Sequence, residues 1–365
     1  MKPLLEEIRH NPLLWLLAIV PVVLALQVLK PDAHTLLFVL SVLAIVPLAA
    51  LLSRATESVA AKTGDTVGGL LNATLGNLTE LLIALAALRA GQYVLVKASI
   101  AGAIVANTLF MLGVSLLLGG LKHHVQTYNR DSARLQAALL FLATIALLVP
   151  SMLAENDATA AKAEFTQVLS VGLSLLLIAV YGLSLLFSLK THREFFGAAE
   201  HAGNGEASWP LGLALSTLAG VTVLVALVSE VFVESVQHAA VAFGMTPAFV
   251  GFIIVALVGG AAEMVAAWSG ARKNRLDLSV GIALGSAAQI ALFVAPALVF
   301  LSYVIGPTAM DLQFWPGAVV MMLVATSTAI LVTNSGRSTW FVGALVVIVY
   351  LIFAMTLYLL PPKVQ

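Results

Sequence analysis

Long apolar runs alternate along the chain with short polar breaks, and eleven of the runs approach the roughly 20 residues that a helix needs to cross a bilayer. They fall at about 12–29, 33–53, 68–89, 93–119, 133–150 and 165–189, then at about 210–236, 248–270, 277–304, 315–334 and 339–360. The pattern predicts an all-α polytopic membrane protein with about 11 transmembrane helices. Its parsing is a leading helix within 1–32, a first five-helix repeat over 33–189, a linker at 190–209 and a second five-helix repeat over 210–365. An odd number of helices per repeat starts the second from the opposite side of the membrane, so the repeats are inverted. Residues 54–67 read as a short amphipathic continuation of the second helix.

Polar residues inside the apolar runs matter more than those between them. In GGLLNATLGNLTELLIALAAL, Gly68–Leu88, a single carboxylate, Glu80, sits mid-run. A charge at bilayer depth costs about 2.5–3.5 kcal/mol on lenient scales, so such a residue marks a functional site by default. On a helical wheel Asn72, Gly76, Thr79 and Glu80 share one side, with Asn77 at its edge. The central Gly76 softens the helix and can free backbone carbonyls. A second copy begins at Gly251, GFIIVALVGGAAEMVAAWSG, and aligns Gly259 with Gly76 and Glu263 with Glu80 without a gap. Each copy is followed by a glycine-rich apolar run holding one amide, Asn107 in the first half and Gln289 in the second. Matched, interrupted hydrophobic segments in the two halves of a chain point to a transporter binding site.

Composition narrows the class further. Charged residues make up 10% of the 365 and hydrophobic residues 61%, against about 25% charged in soluble domains. A formal net charge of zero with no basic run gives no nucleic-acid partner, and zero cysteines exclude disulfides and thiolate metal sites. The partner is the lipid bilayer. With the N-terminus inside, 13 of the 18 Lys and Arg residues fall in inner segments and five in outer ones. The positive-inside rule therefore puts the N-terminus in the cytoplasm and the C-terminus on the opposite side.

The chemistry left to the mid-membrane residues is that of hard oxygen ligands. None of the seven histidines falls mid-membrane, so zinc is disfavoured, while calcium takes six to eight oxygens in flexible geometry. Two desolvated carboxylates are unfavourable when bare and stable when they hold either a divalent cation or protons. If only the loaded forms rock between faces, cation movement one way forces proton movement the other. Glu57, Glu230 and Glu234 stand near helix ends, where they could line an access path; Glu57-Ser58-Val59 and Glu234-Ser235-Val236 repeat the same triplet. Acidic residues and His192 and His201 in the linker suit a cation or pH sensor, with a solvated linker the plainer reading. Asp131, Glu155, Asp157, Glu164 and Asp311 read as loop solvation.

These residues carry a resemblance. GGLLNATLGNLTELLIAL, FVGFIIVALVGGAAEMVAAW and the LDLSVGIALGSAAQIALFVAPALV tail resemble the two α-repeats of calcium/proton exchangers in the calcium/cation antiporter superfamily. The resemblance implies Glu80 and Glu263 as central cation and proton ligands, with supporting roles for Asn77, Asn107 and Gln289 and for backbone near Gly76 and Gly259. It also implies secondary antiport of Ca²⁺ for H⁺ by alternating access, no catalytic residues, no resident cofactor and, in some bacterial relatives, a homo-trimer. A bacterial inner membrane is expected rather than a vacuole, because no long regulatory N-terminal domain is present. The second copy departs from the family's usual Gly-Asn-Ala-Ala-Glu-His at Gly260 and Met264, and Ala103, Ala106 and Ala287 stand where serine is common. Sodium-coupled or Mn²⁺-transporting exchange on the same fold is thus the alternative. An ion channel is disfavoured for want of a filter loop, and an intramembrane hydrolase because Ser286 has no histidine in its pattern.

Overall fold

The computed structural model describes residues 2–153, 160–192 and 209–360. It is almost entirely helical. An amphipathic α1 (Lys2–His10) leads into α2 (Pro12–Leu29), whose first turns are 3₁₀ after an Asn11 side-chain cap. Next come α3 (His34–Ala60), α4 (Asp65–Leu75), α5 (Leu78–Arg89), α6 (Tyr93–His123) and α7 (Arg130–Leu153). The first half closes with α8 (Ala160–Leu186) and a π-helical extension, Phe187–Thr191. The second half runs through α9 (Leu211–Ala242), α10 (Pro247–Gly259), α11 (Ala261–Arg272), α12 (Leu276–Ile305), α13 (Pro316–Thr333) and α14 (Trp340–Leu359). Among the described residues nine helices are long and apolar enough to cross a membrane, and eleven spans result when the bent pairs α4–α5 and α10–α11 each count as one.

Those two bends interrupt the predicted helices at matching places. α4 and α5 meet at 42°, α10 and α11 at 58°. Gly76 and Asn77 form the first joint, Gly259 and Gly260 the second. The single wheel drawn through Asn72 and Glu80 therefore does not survive: Asn72 is exposed on α4, whereas Thr79 is buried on α5. The second predicted helix also stops at Ala60 instead of running on to 67. Gly64 takes a positive φ of 82°, open to glycine without a Cβ clash, and α4 starts anew at Asp65.

Between helices in lipid, close packing replaces the hydrophobic effect, and small residues permit it. A methyl group on Gly102 of α6 would lie 2.1 Å from the Phe252 carbonyl oxygen of α10, and one on Gly251 would lie 2.7 Å from Ala98 Cβ. The long helices α3 and α9 pack along each other, with Phe38 stacked on Phe232 and His34 on His238. On the Lys- and Arg-rich face, β1 (Val125–Thr127) pairs antiparallel with β2 (Arg337–Thr339). Gln126 ties this clasp to the α11–α12 turn by donating to the Ala271 carbonyl and to Asn274 Oδ1. Three loops on that face are thereby held as one unit.

The two half-helices are packed unequally. All but four residues of α10 are buried (Pro247, Phe249, Ile254 and Leu257 are half-buried). In α4, among the residues whose side chains are described, only Gly68 is buried, and Val67 and Leu70 are 51% and 44% exposed. α10 starts from the face of Pro247 and α4 from the Lys- and Arg-rich face, so the half-helix that enters from the first face is the more deeply buried of the two.

Candidate functional site

The two joints bring the carboxylates to the centre. Each half-helix break places a glutamate in the first turn of the following helix, Glu80 on α5 and Glu263 on α11. Each then lies over the glycine of the opposite joint. A methyl group on Gly259 would sit 2.9 Å from Glu80 Cγ, and one on Gly76 would sit 3.8 Å from Glu263 Oε1. The arrangement is reciprocal, and it explains the glycines: any side chain at the joint would fill the space in front of the other repeat's carboxylate. First-turn placement also puts each carboxylate near the positive end of its helix dipole, which offsets part of its desolvation.

Amides complete the centre. Asn77 donates to Gln289 Oε1 at 2.6 Å and accepts from Ser286 Oγ at 2.8 Å, while Asn107 donates to Ser286 Oγ at 2.9 Å. Asn77, Asn107 and Ser286 are 1%, 1% and 4% exposed. The network crosses the repeats, joining α6 to α12 and the first joint to α12. Asn107 Oδ1 of this network is buried with no hydrogen-bond partner, and so is Glu263 Oε2 of the neighbouring carboxylate. Buried acceptors of this kind are costly unless something else meets them.

Local backbone sets these amides in place. Asn107 sits in a π-helical turn, Ala106–Met111, and Gln289 immediately precedes another, Ile290–Val294. An extra residue in the turn rotates the remainder of the helix about its axis, and such turns are frequent at functional sites. Each is wedged by a tyrosine from the last helix of a half: Tyr350 of α14 against Phe110 (5.1 Å between ring centroids) and Tyr181 of α8 against Phe293 (5.2 Å).

A narrow crevice lies beside Glu80, lined by Ala84, Ser99, Ala103, Val255 and Ile290. It lies toward the Pro247 face, near the ends of α5 and α12 and the start of α6. Glu57, Glu230 and Glu234 are not among its lining residues. Glu230 pairs with Arg89 (2.8 Å), Glu234 accepts from Gln27 (2.6 Å) and Glu57 engages Arg54 (3.7 Å). Glu57 lies in the last turn of α3, but α9 runs on to Ala242, so Glu230 and Glu234 stand inside that helix rather than near its end, where the sequence pattern predicts them. Asp311, expected as loop solvation, is instead half-buried against Lys97 at 2.6 Å, and fixes the loop after α12 onto α6. Apart from His192, stacked on Phe187, the linker residues proposed as a sensor lie outside the described residues.

The centre thus joins Glu80, Glu263, Asn77, Asn107, Gln289, Gly76 and Gly259. Ser286 is the addition. Its signal was present, since Ser286 lies three residues before Gln289 on one helical face, but serine in an apolar helix more often bonds its own backbone. Among the described residues no group of three His, Cys, Asp or Glu side chains could hold a metal ion. A cation here would meet two carboxylates, amide and hydroxyl oxygens, and carbonyls freed at the joints.

Comparison with known proteins agrees with this geometry. The family described as sodium/calcium exchanger protein matches residues 33–190 and 213–359. The chain is 39% identical to a Ca(2+)/H(+) antiporter of Aphanothece halophytica over 89% of this chain and 90% of that one. It is 40% identical to the Ca(2+)/H(+) antiporter ChaA of Bacillus subtilis over 89% and 92%. The solved structure of native YfkE superposes with a TM-score of 0.80 at 36% identity, covering 94% of this chain and all of that one. An H+/Ca2+ exchanger, CAX, superposes at 0.73 over 96% of this chain, its 17% identity speaking to the fold alone. This integral membrane chain belongs to the sodium/calcium exchanger protein family, a family of transporters.

Proposed function

We propose that the chain exchanges Ca²⁺ for H⁺ by alternating access, with Glu80 and Glu263 holding the cation or protons in turn. The reciprocal seating of each glutamate over the other repeat's joint glycine carries the reading. Two half-buried carboxylates so placed repel each other when bare. A divalent cation between them or protons on them removes that repulsion, so the exchanged species are mutually exclusive. The unequal packing of α4 and α10 supports alternation, because inverted repeats that trade these two packings open the opposite face. Names of the relatives support Ca²⁺ as the cation. The Lys and Arg distribution supports a cytoplasmic N-terminus; a bacterial inner membrane as the setting is carried over from the sequence reading. Two repeats at 33–189 and 210–365 fit the matched joints and π turns. A trimer is carried over from the resemblance only.

The test is calcium uptake into proteoliposomes under an imposed pH gradient. Uptake driven by an acidic interior, abolished by a protonophore and by Glu80→Gln or Glu263→Gln, is the expected result. Uptake that ignores protons and follows a sodium gradient overturns proton coupling. Manganese uptake without calcium uptake overturns the cation assignment.

A further inference from the structure

The second half-site is poor in side-chain oxygens, with Gly260 and Ala287 where the family's pattern has Asn and Ser, and the structure supplies one from an element outside the repeat motifs. Gln136 of α7 points its Oε1 at α12, where a methyl group on Gly285 would lie 3.7 Å away. That oxygen is buried and has no hydrogen-bond partner. The Gln136 amide nitrogen makes a single long contact, 3.4 Å to Ser132 Oγ. Gly285 directly precedes Ser286 and stands one turn before Gln289, so the free oxygen faces the stretch of α12 that carries two members of the amide network.

Its position relative to the two faces is informative. α7 enters at Arg130 and α12 at Leu276, both from the Lys- and Arg-rich face, so Gln136 and Gly285 lie between that face and the centre. The comparable glycine on α6, Gly102, is covered by the backbone of α10 at Phe252. Gly285 is instead faced by a side chain with a spare acceptor. A buried amide oxygen left unpaired is costly, and a leucine or methionine would fill the same volume without that cost.

We infer that Gln136 is a further cation ligand, which meets the ion on its way between the Lys- and Arg-rich face and Glu263. The amide oxygen replaces part of the ion's hydration shell there, as hard-cation sites require. The inference rests on the exchange reading above, and wild-type exchange measured in parallel separates the two. In sided proteoliposomes, Gln136→Met and Gln136→Leu, which keep the volume and remove the oxygen, are expected to raise the apparent KM for Ca²⁺ about tenfold when Ca²⁺ is offered at that face. The KM at the opposite face should change less than threefold, and Gln136→Glu, which keeps an oxygen, should hold the KM near wild type. A KM unchanged at both faces overturns the inference, as does an equal rise at both faces or a Gln136→Glu defect matching Gln136→Met, since either marks a packing residue. Absence of calcium exchange in the wild type overturns the exchange reading instead, and Ca²⁺-dependent thermal stabilisation of wild type against Gln136→Met then tests the ligand directly.

Discussion

At the scale of single residues, Ser286 holds the centre together. It gives its proton to Asn77 and accepts one from Asn107, so an alanine there leaves two buried amide groups unpaired, at about 1–3 kcal/mol each. Ser286→Ala is expected to fold, to raise the apparent KM for Ca²⁺ about tenfold and to lower the turnover less, measured by uptake against concentration. Gly259→Ala acts differently. Its methyl group would press on Glu80 Cγ at 2.9 Å, and that flexible side chain can swing away without unfolding anything. The protein should reach the membrane in normal amount and lose most of its transport, with protein level and uptake assayed side by side. Arg89→Ala is the contrast: its ion pair with Glu230 is exposed at 73% and 47%, a kind of pair worth little. Exchange by that variant should stay within about twofold of wild type.

At the scale of elements, the same residue type does different work in the two halves. Gly102 faces the Phe252 backbone at 2.1 Å, which cannot give way, whereas Gly285 faces the end of a glutamine side chain at 3.7 Å. Gly102→Ala is expected to lower the yield of folded protein sharply. Gly285→Ala should fold and show slowed turnover, because a methyl there obstructs α4 only when α4 closes on α12 as α10 does on α6; yield and uptake rate distinguish the pair. Eleven spans, both joints and the pairing of Glu80 with Glu263 were legible from apolar run length and the gapless match of Gly76 to Gly259. The joint angles were not, because a glycine in an apolar run reads the same whether the helix packs or breaks there. Neither were the π turns, which leave no mark on hydrophobic periodicity, nor Gln136 and Asp311, whose partners lie more than 140 residues away in the chain.

At the scale of the whole molecule, the inequality of α4 and α10 is the property that a transport cycle needs. Two inverted repeats with nearly the same joint and the same carboxylate cannot both be open, since the shared centre would then be a channel, and cannot both stay shut, since nothing would enter. On the proposed exchange reading, one buried half-helix and one exposed half-helix is the asymmetric solution, and its mirror image would be reached by exchanging their packings. The chain contains no cysteine, so single cysteines report this directly against a silent background. A cysteine at Leu70 or Asn72 of α4, both exposed, should react with a membrane-impermeant thiol reagent added to the Lys- and Arg-rich face. A cysteine at Ile253 of α10, 9% exposed, should stay protected from the opposite face. If the repeats trade packings, reversing the ion gradients must protect the α4 positions and expose the α10 position together. Reactivity that never changes under either gradient would mean one fixed conformation, and a transporter of this kind cannot work from one.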